Sequence, residues 1–386
     1  MSTPDSLLHF FLDTRKHTEA ICQPLEIEDY VVQPVADVSP PKWHLGHSTW
    51  FFEEFILKPH ITGYKVFDND FSFVFNSYYE SVGEHVMRSD RGNLSRPSVE
   101  KVYDYRAYVT KAINDVIEEK KDNHLYDLIE MGIHHEKQHQ ELLLTDIKYI
   151  LGNNPLLPLY SKNFKEHQEE THDQEWIPIA EGIYGIGHDS KNFSYDNELG
   201  RHKVYLNACE ISNKLVTNQE FIEFIQDKGY QNFELWHAEG WDWVNKNNIK
   251  APLYWHEIKG EWFHYTLNGL QKISTNTPIT HISYFEAFAF AQWKGYRLPT
   301  EFEWETAQHG FSWGQRWEWT ESAYLPYPNY KKAAGALGEY NGKFMVNQKV
   351  LRGGSVATPI KHTRPTYRNF FPTHTRWQYN GIRLAR

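Results

Sequence analysis

One stretch constrains this chain more than any other: a helical pattern from near Asn123 to about Leu151 that contains Ile133-His134-His135-Glu136-Lys137-Gln138-His139. Leu128, Met131, His135, His139 and Leu142 recur three or four residues apart and so share one helix face. Two histidines continue an apolar stripe. An imidazole pair at i and i+4 on one face can grip a metal ion from one side. Core or surface histidines at chance spacing give the same pattern, so the pair alone leaves both readings open.

His135-Glu136-x-x-His139 also spells the zinc-protease pattern, with Glu136 as the would-be general base. That pattern needs a third ligand, usually further on, and residues 140–160 contain no histidine. Upstream, Trp43-His44-Leu45-Gly46-His47 offers two candidates, and periodicity does not choose between His44 and His47. A three-histidine set leaves coordination positions open. It suits a non-haem Fe(II) that holds substrate and O2 together, and equally a catalytic zinc with one open position.

The elements around this stretch read as a helix bundle followed by a different kind of domain. Residues 5–21 form a first helix, and a second opens at Ser39-Pro40-Pro41 and ends before Lys58-Pro59. A third starts at Ser95 and Pro97 and runs to about Lys121. Residues 59–94 between them are a long loop, of a length that is usually functional. Four helices with one long crossover make a bundle, whose interior is a common place for metal sites. Residues 152–175 are a linker, rich in Gly, Asn and Pro and then polar. Beyond it come short alternating segments such as 176–179 and 202–206, separated by turn residues. The convincing helices there span 217–227 and 283–293, with 300–308 close behind. The fold class is therefore α+β, with domains at 1–151 and 176–386.

Composition narrows the function. A net charge of −10 gives no basic footprint, which argues against a nucleic-acid partner. Cys22 and Cys209 are the only cysteines, too few for a disulfide framework or a thiolate cluster, whereas 21 histidines make imidazole the natural ligand. No apolar run approaches the roughly 20 residues that cross a bilayer, and the N-terminus shows no cleavage signature. A cytoplasmic protein without a membrane partner is expected. The loop carries Tyr78-Tyr79, which read either as packing aromatics or as proton donors, and Arg88 and Arg91, which read as surface charges or as a fork for a carboxylate.

These residues match a family. Residues from about 27 to 150 resemble the DinB-like bundle of the ergothioneine-biosynthesis sulfoxide synthases, usually called EgtB. The matching pieces are Glu28-Asp29-Tyr30-Val31-Val32-Gln33, Ser39 to His47, Asn76-Ser77-Tyr78-Tyr79 and His135 to His139. Residues 176–386 resemble the formylglycine-generating-enzyme (sulfatase-modifying, C-type-lectin-like) fold. That match rests on Val216-Thr217-Asn218, the run from Arg297 to Glu305, Trp317-Glu318-Trp319-Thr320, Leu351-Arg352-Gly353-Gly354-Ser355 and Gly381-Ile382-Arg383-Leu384. Formylglycine generation uses a cysteine pair in this fold, and the lone Cys209 argues against it.

The resemblance implies an iron(II) site of His47, His135 and His139, with His44 a bystander. It implies that Gln138 holds the imidazole of hercynine, that Asn369, Phe370 and Phe371 lie in the stretch contacting its trimethylammonium group, and that Arg88 and Arg91 meet the thiol cosubstrate's carboxylate. One branch of the family has an acidic residue where Phe371 stands and uses it for γ-glutamylcysteine. Tyr78-Tyr79 is similar to the tyrosine pair of the other branch, which uses free cysteine, so cysteine is favoured and Tyr79 or Tyr78 is the proton donor. The implied activity is O2-dependent formation of a C–S bond between cysteine, or γ-glutamylcysteine, and C2 of the hercynine imidazole, with the sulfur oxidised to a sulfoxide. The rivals are a selenoneine-synthase-type enzyme using a selenium sugar, a zinc hydrolase built on His135-Glu136-x-x-His139, and a non-catalytic binding module.

Overall fold

The computed structural model describes residues 4–120, 122–166, 173–332 and 341–386. The chain divides into two compact units, Met1–Ser161 with Ala357–His362, and Lys162–Val356 with Thr363–Arg386. The first is helical and the second combines sheets with short helices, so the fold is α+β. No helix among the described residues is long and apolar enough to cross a membrane.

In the first unit α1 (Pro4–Cys22), α2 (Pro41–Phe52), α5 (Val99–Glu119) and α6 (Asn123–Gly152) form the bundle, with α3 (Lys58–His60) and α4 (Phe71–Phe75) in the crossover. Every residue of α2 is buried, which makes it the central helix. Pro41 starts it at a position whose N–H has no partner within a helix anyway. Two glycines let neighbours close in. A Cβ on Gly46 would sit 2.1 Å from the Phe75 ring, and one on Gly132 of α6 would sit 2.5 Å from Phe52.

Three expectations change here. The second helix does not stop before Lys58-Pro59 but passes through a π-helical turn, Glu53–Leu57, into α3. The wider turn, closed by Lys58 N–H on the Glu53 carbonyl, absorbs the proline. The third helix starts later than Ser95, because the Ser98 hydroxyl caps it by accepting from Lys101 N. The loop of residues 59–94 is partly built: α4 buries Phe71 and Phe75 against Tyr105, and Gln33 ties down a 3₁₀ turn at Arg88–Asn93 by accepting from Gly92 N and donating to Arg88 O.

The most deeply buried stripe of α6 is Leu125, Ile129, Ile133, Leu143 and Ile147, while Leu128, Met131 and Leu142 are only half-buried. Glu136 and Gln140 interrupt that stripe. Glu136 accepts from Arg15 at 2.8 Å, from Arg106 at 3.0 Å and from Thr18 at 2.7 Å. Arg15 also donates to Thr49 and Thr110, so this one carboxylate network joins α1, α2, α5 and α6. Gln140 donates to the Thr14 carbonyl and to Thr18.

The second unit opens with strands β1 (Trp176–Ile179), β2 (Gly182–Ile186), β3 (His202–Leu206) and β4 (Cys209–Leu215), then β5 (Trp255–Ile258), β6 (Glu261–Thr266) and β7 (Gly269–Lys272). It closes with β8 (Trp317–Ala323), β9 (Gln348–Gly353), β10 (Asn369–Pro372), β11 (Asn380–Gly381) and β12 (Arg383–Ala385). The sheets run β1-β4-β12, β10-β9-β8-β11, β2-β3 and β5-β6-β7. Helices α7 (Asn218–Gln226), α9 (Tyr284–Trp293) and α10 (Glu301–Ala307) each begin at a Thr or Ser with a Glu three residues on, a reciprocal cap legible in the sequence. Helix α8 (Ala238–Lys246) was not expected. It has no side-chain cap and carries Gly240, which is needed because a Cβ there would meet Phe285 at 2.9 Å. The core is aromatic, around Phe221, Phe224, Phe290, Trp317 and Trp319. Buried arginines pair with carboxylates inside it: Arg368 with Glu301 and Arg383 with Glu318.

The Glu136 network sets a stability prediction. Burial alone raises the Glu136 carboxyl, but the Arg15 and Arg106 charges and the bonds from Thr18 and Arg15 more than offset this and lower it from 4.5 to about 2. A carboxyl depressed in the folded state stabilises it above the unfolded value and loses that contribution as pH falls through the folded one. Stability should therefore decline between about 4.5 and 2. Glu136→Gln takes the carboxylate from the buried Arg15 and leaves Arg106 with the half-buried Glu19 at 3.4 Å, and should cost about 3–5 kcal/mol in urea denaturation at neutral pH, with a flatter acid limb than the parent. A cost below about 1 kcal/mol would contradict this account of the bundle.

Candidate metal centre

Helix α2 places Trp43, His47 and Trp50 at i−4, i and i+3, on one face. The His47 ring is sandwiched between the two indoles, 4.5 Å from Trp43 and 5.3 Å from Trp50, nearly parallel to both. Helix α6 presents His135 and His139 one turn apart, and His135 stacks on Phe51 of α2 at 4.3 Å. His47, His135 and His139 each offer a nitrogen within 4.8 Å of the others, and all three are buried.

The imidazoles are held neutral. Burial pushes His47 and His139 well below the ordinary value, reinforced by the neighbouring histidines, and burial lowers His135 to about 3. A metal needs the unprotonated nitrogen, so the site keeps its lone pairs available at neutral pH. The His47 tautomer is fixed as well. Nδ1 lies 2.6 Å from the Phe75 carbonyl, which can only accept, so Nδ1 carries the proton and Nε2 faces the site as a donor to metal. Three convergent neutral imidazoles fit a borderline divalent transition ion, and this group includes no carboxylate or thiolate.

His44 is not a member of this group, yet it is no bystander: its Nδ1 lies 3.0 Å from His139 Nδ1 and its Nε2 2.9 Å from Asp146. Glu136 is fully occupied by Arg15, Arg106 and Thr18 and is completely buried, so it is no general base for water at the metal. The sequence pattern for a zinc hydrolase is present, but the carboxylate it requires is spent on holding the bundle together.

The other candidates lie at different removes. Tyr79 is buried, its ring 5.6 Å from Trp50 and stacked at 4.7 Å on the half-buried Tyr78. Asn76 holds that turn by accepting from Tyr79 N and donating to the Tyr79 and Gly83 carbonyls. Arg91 is buried, with its guanidinium 3.4 Å over the Trp43 ring and bonded to Ser39 at 2.8 Å. Burial, then the Arg88 charge, lower it to about 9. Arg88 is exposed and donates to the Asp37 carbonyl. Gln138 is half-buried on α6, beside His139. Asn369, Phe370 and Phe371 form β10 in the second unit, where Phe370 stacks on Tyr324 at 4.0 Å and Phe371 packs against the core.

Arg15, Arg106 and Asp146 were missed from sequence, and the contacts of His44 were not foreseen. Arg106 falls on the apolar stripe Val102, Tyr105, Val109, Ile113, and Arg15 falls four residues after Phe11. A charge in phase with a core stripe is the readable signal. Asp146 follows His139 by seven residues, two turns on along the same face.

Residues 11–143 match the DinB superfamily, and residues 161–316 match the sulfatase-modifying factor enzyme 1-like domain. The chain thus joins a DinB domain to a sulfatase-modifying-factor domain. It is 28% identical over 346 residues to the hercynine oxygenase of Mycobacterium tuberculosis, covering 77% of this chain and 80% of that one. It is 27% identical over 305 residues to the hercynine oxygenase of Mycolicibacterium smegmatis, covering 66% and 70%. Similarity to the formylglycine-generating enzyme of Bos taurus is 28% over 158 residues, 36% of this chain and 42% of that one. The chain is homologous to hercynine oxygenases over most of its length and has their domain architecture.

Gly46 gives the site its own test. Gly46→Ala would drive a Cβ into Phe75, the residue whose carbonyl orients His47. The substitution should cost about 1–3 kcal/mol from overpacking and weaken metal binding at least tenfold. Thermal denaturation and a metal titration check both, and parent-like metal affinity would show that Phe75 does not set the His47 ring.

Proposed function

We propose that this chain is an Fe(II)- and O2-dependent sulfoxide synthase that joins the sulfur of cysteine to C2 of the hercynine imidazole. Residues 1–151 are the metal-holding domain, and 176–386 recognise substrate. The observation that carries the reading is a buried set of three neutral imidazoles in a chain aligned over 77% of its length with a hercynine oxygenase. Neutral ligands leave the charge of a divalent ion uncompensated, which favours an anionic thiolate as the next ligand and supports a thiol cosubstrate. Bound iron supplies the electron transfer that lets O2 oxidise the pair.

The balance is one hercynine, one cysteine and one O2. The C2–H and S–H bonds are lost, a C–S bond forms, one oxygen atom ends on sulfur and the other leaves as water. The chain's residues would divide the work as follows. His47, His135 and His139 hold the ion, and the flanking Trp43, Trp50 and Phe51 rings keep water from their faces. Gln138 holds the substrate imidazole, and Asn369, Phe370 and Phe371 meet the trimethylammonium group, for which an aromatic face is a favourable partner. Arg91, with Arg88, faces the cosubstrate carboxylate. Tyr79 delivers a proton from its hydroxyl, steering oxidation to the C–S bond rather than to the thiol alone. The work is cytoplasmic, where cysteine stays reduced.

Incubating iron-loaded protein with hercynine, cysteine and O2 should give the cysteinyl sulfoxide by mass spectrometry. Absence of that mass with iron bound would sink the reading, and product formed only from a selenium sugar would move it to the selenium rival. Phe371 leaves the amine of a γ-glutamyl group without an acidic partner. An unpaired polar group costs about 1–3 kcal/mol, so kcat/KM should favour cysteine over γ-glutamylcysteine by roughly 10- to 100-fold, and the reverse order would overturn the cosubstrate assignment.

Tyr79→Phe should keep consuming oxygen and cysteine but shift product from sulfoxide to cysteine sulfinate, with the KM for hercynine within about twofold of the parent. Tyr78→Phe and the double variant complete the set. An unchanged product ratio in all three would remove both tyrosines as the donor.

A further inference from the structure

We infer that Asp146 and His44 form a positioning pair that fixes the proton of His139 on Nδ1 and so turns its Nε2 lone pair toward the metal. The inference rests on the proposal that the three histidines hold a metal, but its geometry stands in the protein alone.

Asp146 Oδ2 lies 2.9 Å from His44 Nε2, and His44 Nδ1 lies 3.0 Å from His139 Nδ1. A carboxylate oxygen accepts, so the proton of a neutral His44 is on Nε2 and its Nδ1 keeps a lone pair. That lone pair can only accept, so His139 must donate from Nδ1 and leave Nε2 unprotonated. One carboxylate thus sets the tautomers of two imidazoles in series. Asp146 is itself fixed, because the same Oδ2 accepts from Ser39 N at 2.9 Å and Ser39 Oγ accepts from Arg91. All of these residues are nine-tenths or more buried, so water does not compete for the chain of bonds.

His139 and His47 therefore differ as donors. His47 Nδ1 gives its proton to a neutral carbonyl, whereas His139 is backed through His44 by a carboxylate. A carboxylate behind a ligand imidazole raises the basicity of the ligating nitrogen, and losing such a partner lowers metal affinity by about 10- to 100-fold. His139 should be the stronger donor of the two.

The first test needs no metal. Nitrogen-15 NMR of the metal-free parent should show His139 and His47 protonated on Nδ1 and His44 protonated on Nε2. A His139 protonated on Nε2 would overturn the inference whatever the enzyme catalyses. The second test is Co(II) affinity by chelator competition. Asp146→Leu and His44→Phe should each bind Co(II) about 10- to 100-fold more weakly. Asp146→Asn, whose amide oxygen can still accept from both His44 and Ser39 but carries no charge, keeps the tautomers and loses the added basicity, so it should weaken binding less than Asp146→Leu does. Parent-like affinity in both Asp146→Leu and His44→Phe would contradict the pair's role, and so would an Asp146→Asn loss as deep as that of Asp146→Leu. If a variant fails to fold by circular dichroism, the tautomers of the parent still decide. A parent with these tautomers that binds Co(II) but makes no sulfoxide would count against the proposed reaction and leave the positioning pair standing.

Discussion

The bundle depends on the carboxylate of Glu136 lying between two guanidiniums. Arg15 and Arg106 come from different helices, and with Thr18, Thr49 and Thr110 they draw α1, α2, α5 and α6 onto one buried point. A buried charge set of this kind adds little stability over an apolar core, but it tolerates no other register once present. Rotating α6 by one residue would strand Glu136 in apolar surroundings. The register that satisfies Glu136 also turns the neighbouring His135, and His139 one turn further on, toward His47. Helix pairing and ligand convergence are set together.

Charge then decides what the site can hold. The helices bring three imidazoles that burial keeps neutral, and two acidic residues of α6 are engaged elsewhere: Glu136 by arginines, Asp146 by His44 and Ser39. A divalent ion bound here keeps its full charge for incoming ligands. A thiolate or reduced oxygen gains from that charge, whereas the glutamate that a hydrolase of this pattern would use, Glu136, is engaged by Arg15, Arg106 and Thr18. The indoles of Trp43 and Trp50 on both faces of His47 hold the ring in place and leave its Nε2 the free edge.

Much of this was legible in the sequence. The i,i+4 histidines, the prolines at the start of α2 and the Ser/Thr-x-x-Glu caps of α7, α9 and α10 are local signals, and local signals survive into the fold. What stayed hidden depends on partners far along the chain. The ion pair from Glu136 to Arg15 spans 121 residues, and the contact of His44 with His139 spans 95. Periodicity reports which face a residue occupies and cannot report what it meets there. For that reason the pattern His135-Glu136-x-x-His139 suggested a catalytic glutamate where the fold has a structural one, and His44 read as a bystander although its Nδ1 lies 3.0 Å from that of His139. The π-turn at Glu53–Leu57 and the uncapped α8 were hidden for the opposite reason: each departs from the local rule, and tertiary packing compensates.

The central claim is that one iron ion is held by three imidazoles with no protein carboxylate. Iron K-edge X-ray absorption on the anaerobically Fe(II)-loaded protein tests it most directly. The account predicts a first shell of nitrogen and oxygen whose outer-shell scattering fits three imidazoles, with a sulfur scatterer added when cysteine is supplied. A shell fitted by two imidazoles or fewer together with a carboxylate would contradict it.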